Sequence, residues 1–201
     1  MTTAAPVSAW NIANALTVLR LALVPVFLVA LFHEDGVDAG WRVAAFAAFA
    51  VASFTDRVDG EVARRRGIVT DFGKIADPIA DKALIGAGLL GLSSLGELAW
   101  WVTVVVIVRE VAVTVLRFVV IRHGVMPASR GGKVKTLLQA IGIGLLVLPL
   151  GGLLHDVALL IMYAAVVVTV VTGADYVDRA LRLRRTSPRA MAKRAARAGD
   201  S

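Results

Sequence analysis

Four aspartates lie within one short segment of an otherwise apolar chain. Asp56 and Asp59 are three residues apart, and Asp77 and Asp81 are four apart, so each pair shares one face of a helix. Carboxylates at a membrane are expensive to keep, and four that converge repel one another unless cations lie between them. Hard oxygen ligands in this number suit Mg²⁺ or Mn²⁺. The spacing therefore predicts a divalent-metal site at a membrane boundary.

The elements that must position these aspartates are membrane helices. Hydrophobic residues make up 58% of the 201 residues, more than an ordinary soluble domain contains. About 20 apolar residues span the hydrocarbon core of a bilayer as a helix, and apolar runs of this kind recur between short polar breaks. We therefore predict an all-α integral membrane protein with six transmembrane helices, at 14–33, 41–63, 77–95, 100–121, 136–152 and 156–177.

The distribution of Lys and Arg predicts the orientation of these helices. Neither residue occurs in the breaks at 34–40, 96–99 and 153–155. The remaining breaks are rich in both, and the stretch from Arg179 to Arg197 adds eight more. Because positive charge marks the cytoplasmic side, both termini and a polar cavity holding the aspartates are predicted to face the cytoplasm of a plasma-membrane protein.

Three regions follow from this pattern. Residues 1–13 form an N-terminal segment that can hold an interfacial helix, 14–178 form the six-helix membrane domain, and 179–201 form a basic, disordered cytoplasmic tail. The net charge of +7 resides mostly in the loops and this tail. We expect the tail to lie against anionic lipid headgroups and expect no nucleic-acid partner. Cysteine is absent, which excludes disulfides and thiolate chemistry.

The aspartates belong to a longer pattern, Asp-x2-Asp-Gly-x2-Ala-Arg-x8-Gly-x3-Asp-x3-Asp, which begins at Asp56. Two antiparallel helices joined by a short loop bring such carboxylates together, and two cations held there can bind a pyrophosphate. Gly60 lets a nucleotide or a backbone approach closely, and Arg64 offers a planar fork to a phosphate. Pro78 predicts that the third helix begins near Asp77, with Asp77 as its cap. With every fixed position matched, the pattern resembles the signature of the CDP-alcohol phosphotransferase family.

This resemblance implies a two-metal enzyme that uses a CDP-linked lipid or alcohol as donor and releases CMP. Asp56, Asp59 and Asp77 would bind one Mg²⁺ or Mn²⁺ ion, and Asp56, Asp77 and Asp81 a second. Asp81 would also be the general base that takes the proton from the attacking hydroxyl. The resemblance further implies a homodimer. The residues that it aligns with the CDP part of the donor are Gly60, Arg64 and Thr70.

The first helix carries two polar residues, Asn14 and Thr17, one turn apart. Their spacing leaves two interpretations open. Their side chains either reach the nucleotide of the donor or cap the start of the helix.

Resemblance to the bacterial phosphatidylglycerophosphate synthases of this family is carried by three further segments: NIANALTVLRLALVPVF, VIVREVAVTVLR and MPASRGGKVKTLLQAIGI. It implies transfer of a phosphatidyl group from CDP-diacylglycerol to sn-glycerol 3-phosphate. Other acceptors within the family are inositol phosphate and phosphatidylglycerol, the latter giving cardiolipin. An ion or proton transporter is a rival outside the enzymes. A transporter would not require Gly-x2-Ala-Arg between its carboxylates and would place them near the bilayer midplane.

A phosphorylated acceptor needs cationic partners, and four are available. Arg109 lies deep in the fourth span, and Arg117 follows two turns later on roughly the same side. Lys133 and Lys135 stand where the fifth span begins. We predict that these four bind the acceptor phosphate. The alternatives are an ion pair of Arg109 with Glu110 or a motif aspartate, and lysines that only obey the positive-inside rule.

Overall fold

The computed structural model describes the backbone of residues 12–66, 71–120 and 130–186, and their side chains except at 12–13, 56–75, 77–78, 117, 120, 130 and 184–186. This part of the chain is all-helical, which confirms the predicted fold class. A short 3₁₀ turn, His33–Gly36, follows the first helix. The six α-helices are α1 (Ile12–Phe32), α2 (Ala39–Arg66), α3 (Asp71–Ser94), α4 (Trp100–Val120), α5 (Arg130–Val147) and α6 (Leu153–Thr186).

Two segments of the described chain are long and apolar enough to cross a membrane. They are Asn14–Gly36, which is α1 with the turn that follows it, and Leu153–Leu183 in α6. A shorter apolar stretch, Ala39–Thr55, belongs to α2. Large apolar side chains are also exposed on other helices; Phe54 of α2 and Phe118 of α4 are 67% and 71% exposed. Such exposure is unfavourable in water and favourable against lipid.

The helices divide into two compact units. The first unit contains α1, α2, α3, the end of α5 and the start of α6. The second contains α4, most of α5 and the remainder of α6. Each unit has its own buried apolar residues and its own buried polar contacts.

In the first unit, α1 packs against both α2 and α3. The rings of Phe27 in α1 and Phe49 in α2 lie 5.5 Å apart and are both buried. Gly91 of α3 faces Leu31 of α1 so closely that a Cβ at Gly91 would lie 2.6 Å from Leu31 Cδ2. Gly88 of α3 faces Ile143 of α5 in the same way, at 2.7 Å from Cγ2. Small residues therefore set the spacing of α3 from its neighbours inside the chain, as they do in membrane helix pairs.

In the second unit, α4 buries one face of its helix. Val102, Val106 and Val113 are buried, at the four- and seven-residue spacing of a helical stripe. The rings of Trp101 and Tyr163 stack 5.8 Å apart, which joins α4 to α6. Polar atoms buried in this apolar unit must find partners within it, because lipid supplies none.

Four helix ends differ from the predicted ones by about five residues or more. The helix α5 begins at Arg130 rather than at residue 136. The helix α3 begins at Asp71 rather than near Asp77, since an acidic residue in the first turn suits the positive end of the helix dipole. Asp77 therefore lies within the helix and does not cap it. The helix α5 ends at Val147 rather than at residue 152, because Pro149 cannot continue a helix and restricts the residue before it. The helix α6 continues to Thr186, past the predicted start of the tail at residue 179.

Candidate functional site

The helices α2 and α3 each carry two of the four aspartates, at similar distances along the chain from the junction between the two helices. Only residues 67–70 separate the two helices, which also contact each other. Asp56 precedes the last residue of α2 by ten positions, and Asp81 follows the first residue of α3 by ten positions. Asp59 and Asp77 are seven and six positions from the same two ends. Counted along the chain, each aspartate of one helix therefore has a counterpart at nearly the same number of residues from the junction of α2 and α3.

Among the four aspartates, the side chain of Asp81 is the one that the structure describes. It is half-buried, and Ala80 and Leu84, which flank it along α3, are buried apolar residues. A carboxylate in such surroundings requires compensating positive charge or hydrogen bonds. Among the residues with described side chains, no group of three acidic or histidine residues could hold a metal ion, and the side chains of Asp56, Asp59 and Asp77 lie outside that set. The oxygen chemistry of the four residues and the burial of Asp81 fit a hard divalent cation.

The predicted donor-binding residues lie on α1 and α2 or outside the described chain. Gly60 and Arg64 lie in the last two turns of α2, and their side-chain positions are not among those described. Thr70 lies outside the described residues. Asn14 and Thr17 are 6% and 1% exposed and lie inside α1, which begins at Ile12. Both side chains are therefore buried within α1, and their contact with the nucleotide stays a prediction.

A third polar residue continues the same face of α1. Arg20 follows Thr17 by three positions and is completely buried. Asn14, Thr17 and Arg20 thus form a buried polar stripe on a helix that packs against both helices bearing the aspartates. In an apolar helix such a stripe marks a functional surface more often than a structural one. Arg20 is not among the predicted site residues; an arginine inside an apolar span is the signal that could have pointed to it.

Two of the predicted acceptor-binding cations converge on one carboxylate in the second unit. Oε1 of Glu110 accepts a hydrogen bond from Nη1 of Arg109 at 3.0 Å and another from Nζ of Lys135. Lys135 is 5% exposed, and the side chains of Arg109 and Glu110 are 12% and 24% exposed. The Arg109–Glu110 ion pair that was left open as an alternative is therefore present. Lys135 is buried and paired, which the positive-inside rule alone does not require.

The remaining donors of Arg109 fasten it to α6. Its Nε donates to the backbone oxygen of Thr169 at 3.1 Å, and its Nη2 donates to Oγ1 of Thr172 at 2.9 Å. The ring of Tyr176 lies 5.8 Å from the guanidinium carbon, within the range of a cation–π contact. Gly173 leaves room for the arginine stem, since a Cβ there would lie 3.2 Å from Arg109 Cγ. The guanidinium is thus held in one orientation by three donors of its fork.

The other two predicted cations are not brought into this cluster by the described contacts. Lys133 is exposed on α5. Arg117 lies two turns beyond Arg109 on α4, and its side chain is outside the described set. Sequence reasoning also missed Gln139, whose Nε2 donates to Oγ1 of Thr169 at 3.0 Å. A buried amide in the middle of an apolar helix is the signal that indicates such a bond, because an unpaired amide is costly there.

Comparison with known proteins gives the family. The sequence model of the CDP-alcohol phosphatidyltransferase family matches residues 10–171. A probable phosphatidylglycerophosphate synthase of Mycobacterium tuberculosis is 60% identical over 172 residues, covering 86% of this chain and 82% of the relative. A CDP-diacylglycerol–glycerol-3-phosphate 3-phosphatidyltransferase of Bacillus subtilis is 37% identical, covering 85% of this chain and 95% of the relative. A Rickettsia felis protein of the same name is 34% identical, covering 83% of this chain and 93% of the relative.

The matched region contains the whole aspartate pattern, from Asp56 to Asp81, together with the Arg109–Glu110–Lys135 cluster. The resemblance drawn from the sequence is therefore confirmed at the level of the family. This chain belongs to the CDP-alcohol phosphatidyltransferase family.

Proposed function

We propose that this protein transfers the phosphatidyl group of CDP-diacylglycerol to sn-glycerol 3-phosphate, giving phosphatidylglycerophosphate and CMP. The observation that carries the proposal is the complete aspartate pattern in a chain 60% identical to a protein named as a phosphatidylglycerophosphate synthase. A basic cluster in an apolar unit adds support, because a phosphorylated acceptor needs cations that water does not screen.

The protein acts in the plasma membrane. All six helices span the bilayer, both termini lie in the cytoplasm, and the polar cavity opens to the cytoplasm, where a water-soluble acceptor is available. Residues 14–178 form the membrane domain, 1–13 precede it along the surface, and 179–201 contact anionic lipid. Two copies form a homodimer. The charge asymmetry of the breaks supports the proposed orientation of the helices, and the exposed apolar side chains support their insertion in the bilayer.

Two divalent ions, Mg²⁺ or Mn²⁺, are the cofactors. Enzymes of this family generally depend on a divalent metal. Asp56, Asp59 and Asp77 hold one ion, and Asp56, Asp77 and Asp81 hold the other. When bound, such ions bind the donor pyrophosphate and neutralise the charge that develops on the departing phosphate. The similar number of residues between each aspartate and the junction of α2 and α3 supports this assignment.

The side chains of this chain carry out the remaining chemistry. Asp81 removes the proton from the C1 hydroxyl of glycerol 3-phosphate, and that oxygen attacks the phosphorus attached to diacylglycerol. The bond between this phosphorus and the bridging oxygen breaks, and CMP leaves. The acceptor phosphate is bound by Arg109, Arg117, Lys133 and Lys135. The CDP part of the donor is held by Gly60, Arg64, Thr70, Asn14 and Thr17.

The test is a reaction with purified protein, CDP-diacylglycerol, divalent metal and one acceptor at a time. We expect stoichiometric CMP and phosphatidylglycerophosphate with glycerol 3-phosphate, identified by mass spectrometry of the lipid product. Inositol phosphate, phosphatidylglycerol and unphosphorylated glycerol are the comparison acceptors. Preferred turnover of inositol phosphate or phosphatidylglycerol would replace the acceptor while keeping the family chemistry. An absence of CMP with every acceptor would overturn the enzymatic proposal.

A further inference from the structure

Glu110 is the one residue in the described part of the chain on which two of the proposed acceptor-binding cations meet. It lies in α4 next to Arg109, and Lys135 reaches it from α5. Both cationic groups bond the same atom, Oε1, rather than one carboxylate oxygen each. Two like charges so close together would repel in an apolar environment without an anion between them. The geometry at Oε1 therefore shows that one anionic oxygen at this point can accept hydrogen bonds from both cationic groups.

We propose that Glu110 is a positioning residue for the acceptor: its carboxylate holds the ammonium of Lys135 beside the guanidinium of Arg109, so that the two cations are ready to bind a phosphate monoester. This inference rests on the proposed function, because the phosphate concerned belongs to the acceptor alcohol. It assigns Glu110 a role in acceptor affinity and in preference for phosphorylated acceptors. It assigns Glu110 no role in proton transfer or in metal binding.

The side chains of the two cations differ in stiffness and in their contacts. For this reason Glu110 has a larger effect on the position of Lys135 than on that of Arg109. Arg109 is held by Thr169 and Thr172 whether or not Glu110 is present. Lys135 has a flexible four-carbon stem and a compact charge that can take many directions. Its ammonium is almost completely buried, where an uncompensated charge is strongly disfavoured. Its ion pair with Glu110 compensates this charge and directs the ammonium toward Oε1.

A purely structural ion pair would have different consequences. Removing one partner of such a pair lowers the stability of the fold and reduces the apparent kcat through loss of folded protein, without a selective change in the KM for either substrate. A positioning residue for the acceptor changes acceptor KM while leaving the KM for CDP-diacylglycerol unchanged. The two roles are therefore separated by measuring both substrates on folded protein.

The experiment compares Glu110→Gln and Glu110→Asp with the wild-type protein in detergent micelles. We expect the KM for glycerol 3-phosphate to rise about tenfold or more in Glu110→Gln, since the acceptor loses a well-placed charged partner. The KM for CDP-diacylglycerol and the kcat should each change by less than about twofold in the same variant. Glu110→Asp, which restores the charge on a shorter stem, should recover part of the acceptor affinity.

Inorganic phosphate serves as a second probe of the same cations. It should inhibit the wild-type protein competitively with glycerol 3-phosphate, and its inhibition constant should rise in Glu110→Gln in parallel with the acceptor KM. The matched control is Asp175→Asn, which removes the carboxylate of the exposed Asp175–Arg179 pair in the same unit. This control should leave all three constants unchanged.

Each remaining outcome overturns the inference. An unchanged acceptor KM and phosphate inhibition constant in Glu110→Gln would show that Glu110 does not position these cations, while the proposed reaction would stand. Equal changes in both substrate constants, or failure of both Glu110 variants to give folded protein, would assign Glu110 a structural role. If the wild-type protein released no CMP with any acceptor, the proposed function itself would be wrong. The wild-type assay precedes the comparison of variants, so this failure is distinguished from a failure of the inference about Glu110.

Discussion

Arg42 and Glu97 form an ion pair that joins the start of α2 to the loop after α3, with Nη1 of Arg42 2.7 Å from Oε1 of Glu97. The same guanidinium donates from Nε to the backbone oxygen of Val147 at 2.8 Å and from Nη2 to that of Leu146 at 2.5 Å. Nη1 also reaches the backbone oxygen of Gly36 at 3.3 Å. One buried arginine therefore satisfies the last carbonyls of α5, which have no partners within their own helix.

This relationship predicts a large loss of stability when Arg42 is removed. Arg42→Met leaves Glu97 without its cation and the end of α5 without its donors, at a cost of about 3 kcal/mol in the free energy of unfolding. Thermal unfolding in detergent measures the change, and activity below the transition should be retained because Arg42 is outside the proposed site. Arg179→Met is the control, since the Arg179–Asp175 pair is exposed. Equal unfolding temperatures for the two variants would contradict this prediction.

The proposed general base gives a second prediction. Asp81→Asn should lower kcat by about 10³-fold or more, because the amide neither accepts the proton of the acceptor hydroxyl nor binds a divalent cation well. The variant should remain folded in the membrane, as judged by size-exclusion chromatography in detergent. Asp156→Asn, an exposed aspartate in the first turn of α6, is the matched control and should keep normal turnover. Near-normal CMP release from Asp81→Asn would show that the base is another group.

Removal of divalent metal should abolish turnover reversibly. Four carboxylates that converge without cations repel one another, so metal-free protein should also unfold at a lower temperature. Chelation followed by addition of Mg²⁺ or Mn²⁺ should restore both CMP release and thermal stability. The dependence of the rate on metal concentration should be steeper than first order if two ions are needed. Full activity after exhaustive chelation is incompatible with the proposed chemistry.

The close approach of α3 to α1 predicts a size limit at Gly91. Gly91→Val should destabilise the protein by about 1–3 kcal/mol, because the added methyl groups overlap the side chain of Leu31. Gly86 of the same helix is the control, since a Cβ there would meet no described atom within 4 Å. Gly86→Ala should be neutral or stabilising by about 0.5–1 kcal/mol, as expected for a helix interior. Paired thermal unfolding curves test the difference, and equal behaviour of both variants would argue against this helix contact.

The three hydrogen bonds of the Arg109 guanidinium predict that a positive charge alone is not sufficient for acceptor binding at this position. Arg109→Lys keeps the positive charge but cannot bond Thr169, Thr172 and Glu110 at the same time. We expect the KM for glycerol 3-phosphate to rise about tenfold, the effect of losing one well-placed charged hydrogen bond. Steady-state kinetics with each substrate varied in turn measure it. An unchanged acceptor KM would show that the guanidinium geometry is unimportant for binding.

The helical character of the chain and the family were predictable from the sequence because both depend on local patterns. Apolar runs of bilayer length predict helices wherever they occur, and the spacing from Asp56 to Asp81 is a property of the chain itself. The helix ends were less predictable. Asp71, six positions before Asp77, begins α3, and Pro149 ends α5 before the apolar run is complete. A hydrophobicity profile does not detect such local backbone preferences.

The metal ligands and the cations for a phosphate were predicted from residue types and spacing alone, and they stay predictions. The packing of the helices is what brings Arg109 and Lys135 to Glu110, and Arg42 to Glu97 and the end of α5. These partners are separated by 25 to 105 residues in the sequence, apart from Glu110 beside Arg109. Hydrogen bonds between distant residues depend on how helices pack, and packing is set by side-chain shapes that no local spacing encodes.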